Sequence, residues 1–129
     1  MGHFAKVKKP DNIVLEVIKA EQDYIDTLSN TYPIVYIQTS YNTRGNVHYL
    51  PNSDTPSGNP PLRGNYAGDH YIYDEVNDVF YGQRPLDIDG IPCESWTLDT
   101  TTWTWKCPVA HPDRGTGFYM WSETLQAWI

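Results

Sequence analysis

Three stretches of this chain follow one eight-residue rule. Tyr73 to Phe80, Leu98 to Trp105 and Trp121 to Trp128 each open on a large apolar residue and continue at once with a turn former, Asp74, Asp99 or Ser122. Mainly polar residues follow, and each stretch closes on an aromatic ring. Two short strands joined by a tight loop bring the first and last positions of such a stretch opposite each other, where an aromatic or branched pair contributes roughly 0.2–1 kcal/mol. The spacing therefore predicts three β-hairpins with the pairs Tyr73–Phe80, Leu98–Trp105 and Trp121–Trp128.

The N-terminal region predicts a fourth hairpin. Residues 4–7 and 13–18 are strand-like and flank Pro10-Asp11-Asn12, where Pro presets its own φ and Asn tolerates the left-handed region. From Lys19 to Ser29 the apolar spacing changes to that of a helix, through Tyr24, Ile25 and Leu28. A helix so short cannot stand alone and must pack on the sheet. Ile34 to Thr39 returns to strand composition. Residues 50–65, with Pro51, Pro56, Pro60 and Pro61 among them, are expected to lack regular structure and to serve as a loop or an arm over a neighbour. The expectation is one mainly β domain over residues 1–129, α+β at most, with several aromatic hairpins, one short helix and that long Pro/Gly-rich loop.

Charge narrows the partners. Nine basic residues face 16 acidic ones, a net of −7. Phosphate tracking needs clustered cations, and only Lys6, Lys8 and Lys9 come near to clustering; nucleic acid is not expected. Lys6 and Lys8 around Val7 read instead as protection of an edge strand. No run of 18 apolar residues occurs and the N-terminus lacks the pattern of a signal peptide, so a soluble protein of the cytoplasm in which it is made is expected, without membrane attachment.

No catalytic constellation emerges. His3, His48, His70 and His111 share no metal-ligand spacing, and Asp87-Ile88-Asp89-Gly90 opens like a calcium loop but lacks the distant Glu and is broken by Pro92. Asp74, Asp99 and Asp113 could pair with Glu75, Glu94 or Glu123 as a glycosidase couple, but turn chemistry explains them more simply. No serine has a nucleophile-elbow context. The expectation is no enzyme, no metal and no cofactor. Cys93 and Cys107 flank the second hairpin as a disulfide candidate, although the Leu98–Trp105 register sets Cys93 opposite Ala110, three positions out.

The segments Gly2-His3-Phe4-Ala5-Lys6-Val7, Ile37-Gln38-Thr39-Ser40-Tyr41-Asn42-Thr43-Arg44-Gly45, Leu62-Arg63-Gly64-Asn65-Tyr66-Ala67-Gly68, Ser95-Trp96-Thr97-Leu98-Asp99 and Trp105-Lys106-Cys107-Pro108-Val109 resemble small proteins of tailed phages, above all phages of cyanobacteria. The chain departs from that pattern at Thr102 and Trp103, where related hairpins tend to carry a Cys. The resemblance implies a structural component of the virion. Its expected post is a multicopy decoration or cement protein on the major capsid protein; the tail, neck, baseplate or a fibre is the alternative. Trp96, Trp103, Trp105, Tyr119, Trp121 and Trp128 are the expected interface rings. A carbohydrate-binding module for the host surface would use Trp96, Trp103, Trp105, Trp121 and Tyr119 as stacking platforms, exposed and coplanar.

Overall fold

A computed structural model describes residues 2–28, 33–112 and 117–129. The chain is mainly β and divides into two compact units, one of Met1–Gln83 with Thr100–Trp103 and one of Arg84–Asp99 with Thr104–Ile129.

In the first unit, β1 (Gly2–Lys8) and β2 (Ile13–Ala20) form the N-terminal hairpin, with Asn12 at φ 59° closing the turn. The short helix α1 (Gln22–Thr27) follows, and β3 (Ile34–Thr39) pairs antiparallel with β1. The small hairpin β4 (Thr43–Arg44) and β5 (Val47–His48) comes next, then β6 (Ile72–Asp74) and β7 (Val79–Tyr81), which complete a five-stranded sheet in the order β3-β1-β2-β6-β7. Lys6 and Lys8 thus lie on an interior strand rather than an edge. The return of β3 along β1 covers the side that local sequence leaves open, and Lys6 faces Glu16 on β2.

Period-two alternation sends residues to two faces of this sheet. Ala5, Val7 and Val14 pack with Ala67 and Phe80 on one face, while Phe4 and Ala20 receive Ile25 of α1 on the other. Tyr24, on the same helix, is exposed and takes no part in that packing. The helix is six residues long and has no side-chain N-cap, so its order depends on Ile25 seating against the sheet.

Residues 50–65 have no strand or helix, as their composition predicts, but they fold back rather than reaching out as an arm. Leu50 N–H donates to Thr55, Ser57 N–H to His48 and Phe80 N–H to Arg63. Gly64 sits at φ +75°, where an added Cβ would meet the Val79 side chain at 2.8 Å; a side chain here is excluded twice, by conformation and by space.

In the second unit, β8 (Thr97–Asp99) pairs with β9 (Thr104–Lys106), and β10 (Trp121–Ser122) pairs with β11 (Ala127–Trp128). All three predicted registers hold: Tyr73 faces Phe80, Leu98 faces Trp105 and Trp121 faces Trp128. The repeat extends to the backbone. The residue four places after each turn former occupies the left-handed region, Asp78 at φ 57°, Trp103 at φ 58° and Gln126 at φ 48°. In the first and third hairpins the turn former also caps the loop, Asp74 accepting from the amides of Val76 and Asn77 and Ser122 from that of Leu125.

Candidate interaction site

The third hairpin organises the second unit. Trp121 and Trp128 lie directly across its strands with ring centroids 5.3 Å apart, and Trp96 meets them at 6.0 and 6.4 Å. His111 presses edge-on against Trp128 at 4.5 Å and also reaches Tyr119. Interplanar angles of 57° to 72° among the three indoles put them in the tilted and edge-to-face geometry that ring quadrupoles prefer. These rings form a self-packed cluster and not a coplanar row.

Two carboxylates tie the cluster to the loop before it. Asp87 accepts from the amides of Asp89 and Ile91 at 2.9 Å each and from that of Glu123 at 2.8 Å. Glu123 in turn accepts from the Ser95 amide and hydroxyl at 2.6 and 2.7 Å and from the Trp121 indole N–H at 2.9 Å. Both carboxyls are held below their ordinary range, Asp87 chiefly by the Glu123 amide and Glu123 chiefly by the Trp121 indole. The acidic pair at 87 and 89 is thus a turn, as its missing ligands imply. Among the described residues no group of His, Cys, Asp and Glu is arranged to hold a metal.

Arg84 makes a second brace. Its guanidinium donates to the carbonyls of Cys93 and Trp96 at 2.7 Å each and lies 4.6 Å from the centre of the Trp105 ring. Cys93 and Cys107 are free thiols, so the candidate disulfide is not formed. The hairpin register holds Thr97 against Lys106 and carries Cys93 past the position that would face Cys107.

The expected interface rings therefore divide. Trp121 is buried within the second unit, and Trp96, Trp105, Tyr119 and Trp128 are half-buried. Trp103 is buried in the first unit, stacked 6.2 Å from Tyr81, with its carbonyl accepting from Asn65. Much of this ring surface is already used inside the chain. What faces solvent is different. Burial alternates from Phe118 to Trp121, turning Tyr119 and Trp121 inward and leaving Phe118 fully exposed and Met120 about half exposed. Met120 exchanges two 2.8 Å backbone hydrogen bonds with Ile129, which sets their exposed side chains beside each other. Leu86, Ile88, Ile91, Val109 and Leu125 are exposed on the same unit, which holds eight of the thirteen exposed large apolar residues among the described residues.

Comparison with protein-family models, with curated proteins and with solved structures finds no match.

Two of the carboxylates offered as a glycosidase couple are engaged in local contacts. Asp74 is occupied by its own turn, and Glu75 accepts from Lys9 at 2.5 Å and Asn12 at 3.0 Å; Asp113 lies outside the described residues. One pairing escaped the sequence. His48 Nδ1 lies 2.5 Å from Ser57 Oγ, which also accepts from the Asn59 amide. Among the described residues no carboxylate orients this imidazole, and the pair serves to close the loop. The exposed apolar surface was equally hidden, although alternation through Phe118-Tyr119-Met120-Trp121 contains the signal that one of two apolar sets must face outward.

Proposed function

We propose that this protein is a structural component of a tailed-phage virion, a multicopy decoration protein that binds the shell through its second unit. The observation that carries the reading is the outward apolar surface at the C-terminal hairpin, Phe118, Met120 and Ile129, on a unit where three indoles pack on one another. Exposed apolar residues grouped in this way mark sites covered by another protein. The resemblance of several segments to small phage proteins supplies the setting. A net charge of −7 disfavours contact with packaged DNA and supports a place on the outside of the particle. Weak contacts by each copy sum through multivalency on a repeating lattice.

Quantitative mass spectrometry of purified particles tests this. A copy number equal to that of the major shell protein, or a simple fraction of it, supports decoration. A few dozen copies would move the protein to the tail or neck, and its absence from particles would reject the virion role. Phe118→Asp should fold normally, because the ring is fully exposed, and should lose particle occupancy.

A further inference from the structure

A separate site lies wholly within the first unit. Tyr41, Asn42, Arg44, Leu50, Asn52 and Asp54 line a cleft of about 400 Å³, within the range of small-molecule sites. Tyr41 and Asn42 also line a second cleft of about 270 Å³ that runs toward His3 and Gln38. The two residues form a shared ridge between adjoining hollows.

The ridge is rigid and yet open. Tyr41 is 66% exposed, but its ring is stacked on His3 at 5.9 Å and lies in a T-shaped arrangement with Tyr66 at 5.3 Å. Arg44 is fixed as well, 3.8 Å over the Tyr49 ring and bonded to Asp54 at 2.6 Å and to the Ser53 carbonyl at 3.3 Å. The side-chain amides of Asn42 and Asn52 make no hydrogen bond among the described residues, so four groups able to donate and accept remain ready at their termini. Tyr41 and Arg44 are thus held before a ligand arrives, which lowers the ordering cost of those two side chains.

The chemistry selects a class. Arg44 and Asp54 cancel each other, so the cleft offers no net charge to an ion, and a phosphate or carboxylate would have to break that pair. Burial and the neighbouring Lys19 ammonium push the His3 imidazole below its ordinary pKa, which favours the neutral form of that ring. What remains is an aromatic plate, one aliphatic side chain and planar amide, carboxylate and guanidinium groups. Planar groups of this kind bond adjacent hydroxyls in pairs, while an aromatic face receives the C–H face of a pyranose ring. We infer that the Tyr41 ridge binds a neutral saccharide, with one sugar ring in the larger cleft and its neighbour across the ridge. The glycan site so built uses residues of the first unit alone and includes none of the indoles and none of the exposed apolar residues of the second unit.

The test is binding of the whole chain to an array carrying maltohexaose, cellohexaose, chitohexaose and yeast mannan, with hyaluronan and heparin as acidic probes, followed by titration of the best neutral binder. Tyr41→Ala and Asn52→Gly should each weaken that binding by about tenfold or more at unchanged melting temperature. Glycine suits position 52 because Asn52 has φ 53°, so this variant removes the amide without straining the turn. Phe118→Asp should bind the saccharide as the parent does. The inference is overturned if no neutral probe binds, if only the acidic probes bind, or if binding survives both cleft variants.

Discussion

Replacing Trp121 by Ala should unfold the second unit. The side chain is 5% exposed and touches both Trp96 and Trp128. An indole of this kind buries roughly 150–250 Å², about 4–6 kcal/mol at ~25 cal/mol per Å²; the retained Cβ and partial collapse of the site bring the expected loss to about 3–5 kcal/mol. The unit holds 42 residues, 16 in Arg84–Asp99 and 26 in Thr104–Ile129. A core of that size rarely supplies more than about 3–5 kcal/mol, so the substitution removes most of what holds it. Hydrogen exchange read by mass spectrometry is the direct assay. Amides of Met120 and Ile129 and of the loop at Asp87–Ile91 should lose protection, while those of β1 and β2 keep theirs. Trp121→Phe retains a ring but not the N–H that Glu123 accepts, and its loss should be well under that of the Ala variant. A loss below about 1 kcal/mol for Trp121→Ala, the range of ordinary surface changes, would refute the claim that the indole cluster is the core of this unit.

Acid should loosen the same unit. The folded pKa values of Asp87 and Glu123 lie below their unfolded ones, so the folded state binds fewer protons; the stabilisation is present above the usual carboxylate range near ~4 and is lost as pH falls through and below it. Tryptophan-detected melting between neutral pH and pH ~3 should show this loss, and the double variant Asp87→Asn with Glu123→Gln should flatten it; an equally steep decline in the variant would count against the network. The two thiols should react unequally with iodoacetamide in the native protein. Cys93 is 1% exposed and burial raises its pKa, whereas Cys107 is half-buried. Peptide mapping should find Cys107 modified first, and equal rates would show that Cys93 is not enclosed.

The hairpins were legible because their information is local. A turn former at Asp74 or Ser122 and a partner seven residues from the opening ring specify a register within a few residues of chain, and the N-terminal turn at Pro10-Asp11-Asn12 works in the same way. The β4–β5 hairpin was missed although Gly45-Asn46, both at positive φ, is the two-residue signal for such a turn. Identical local grammar does not, however, determine what each hairpin packs against. Trp103 and Trp121 are both buried in different units, and nothing in their neighbouring residues separates the two fates. Likewise, Lys6 sits inside a sheet because β3 returns from 30 residues away, where Lys6 meets Tyr36.

By itself the sequence determined the mainly β class, the three aromatic registers, the short helix and the absence of regular structure around residues 50–65. Only the tertiary structure decided that the loop folds home, that indoles expected at an interface fill the second unit, that Asp87 and Glu123 organise it, and that Tyr41 and Arg44 stand beside Asn52 and Asp54 in one cleft. Turn conformation and cross-strand pairing depend on residues close along the chain. Burial, shared hydrogen bonds and clefts depend on which distant segments meet, and that is settled by the joint packing of the whole chain.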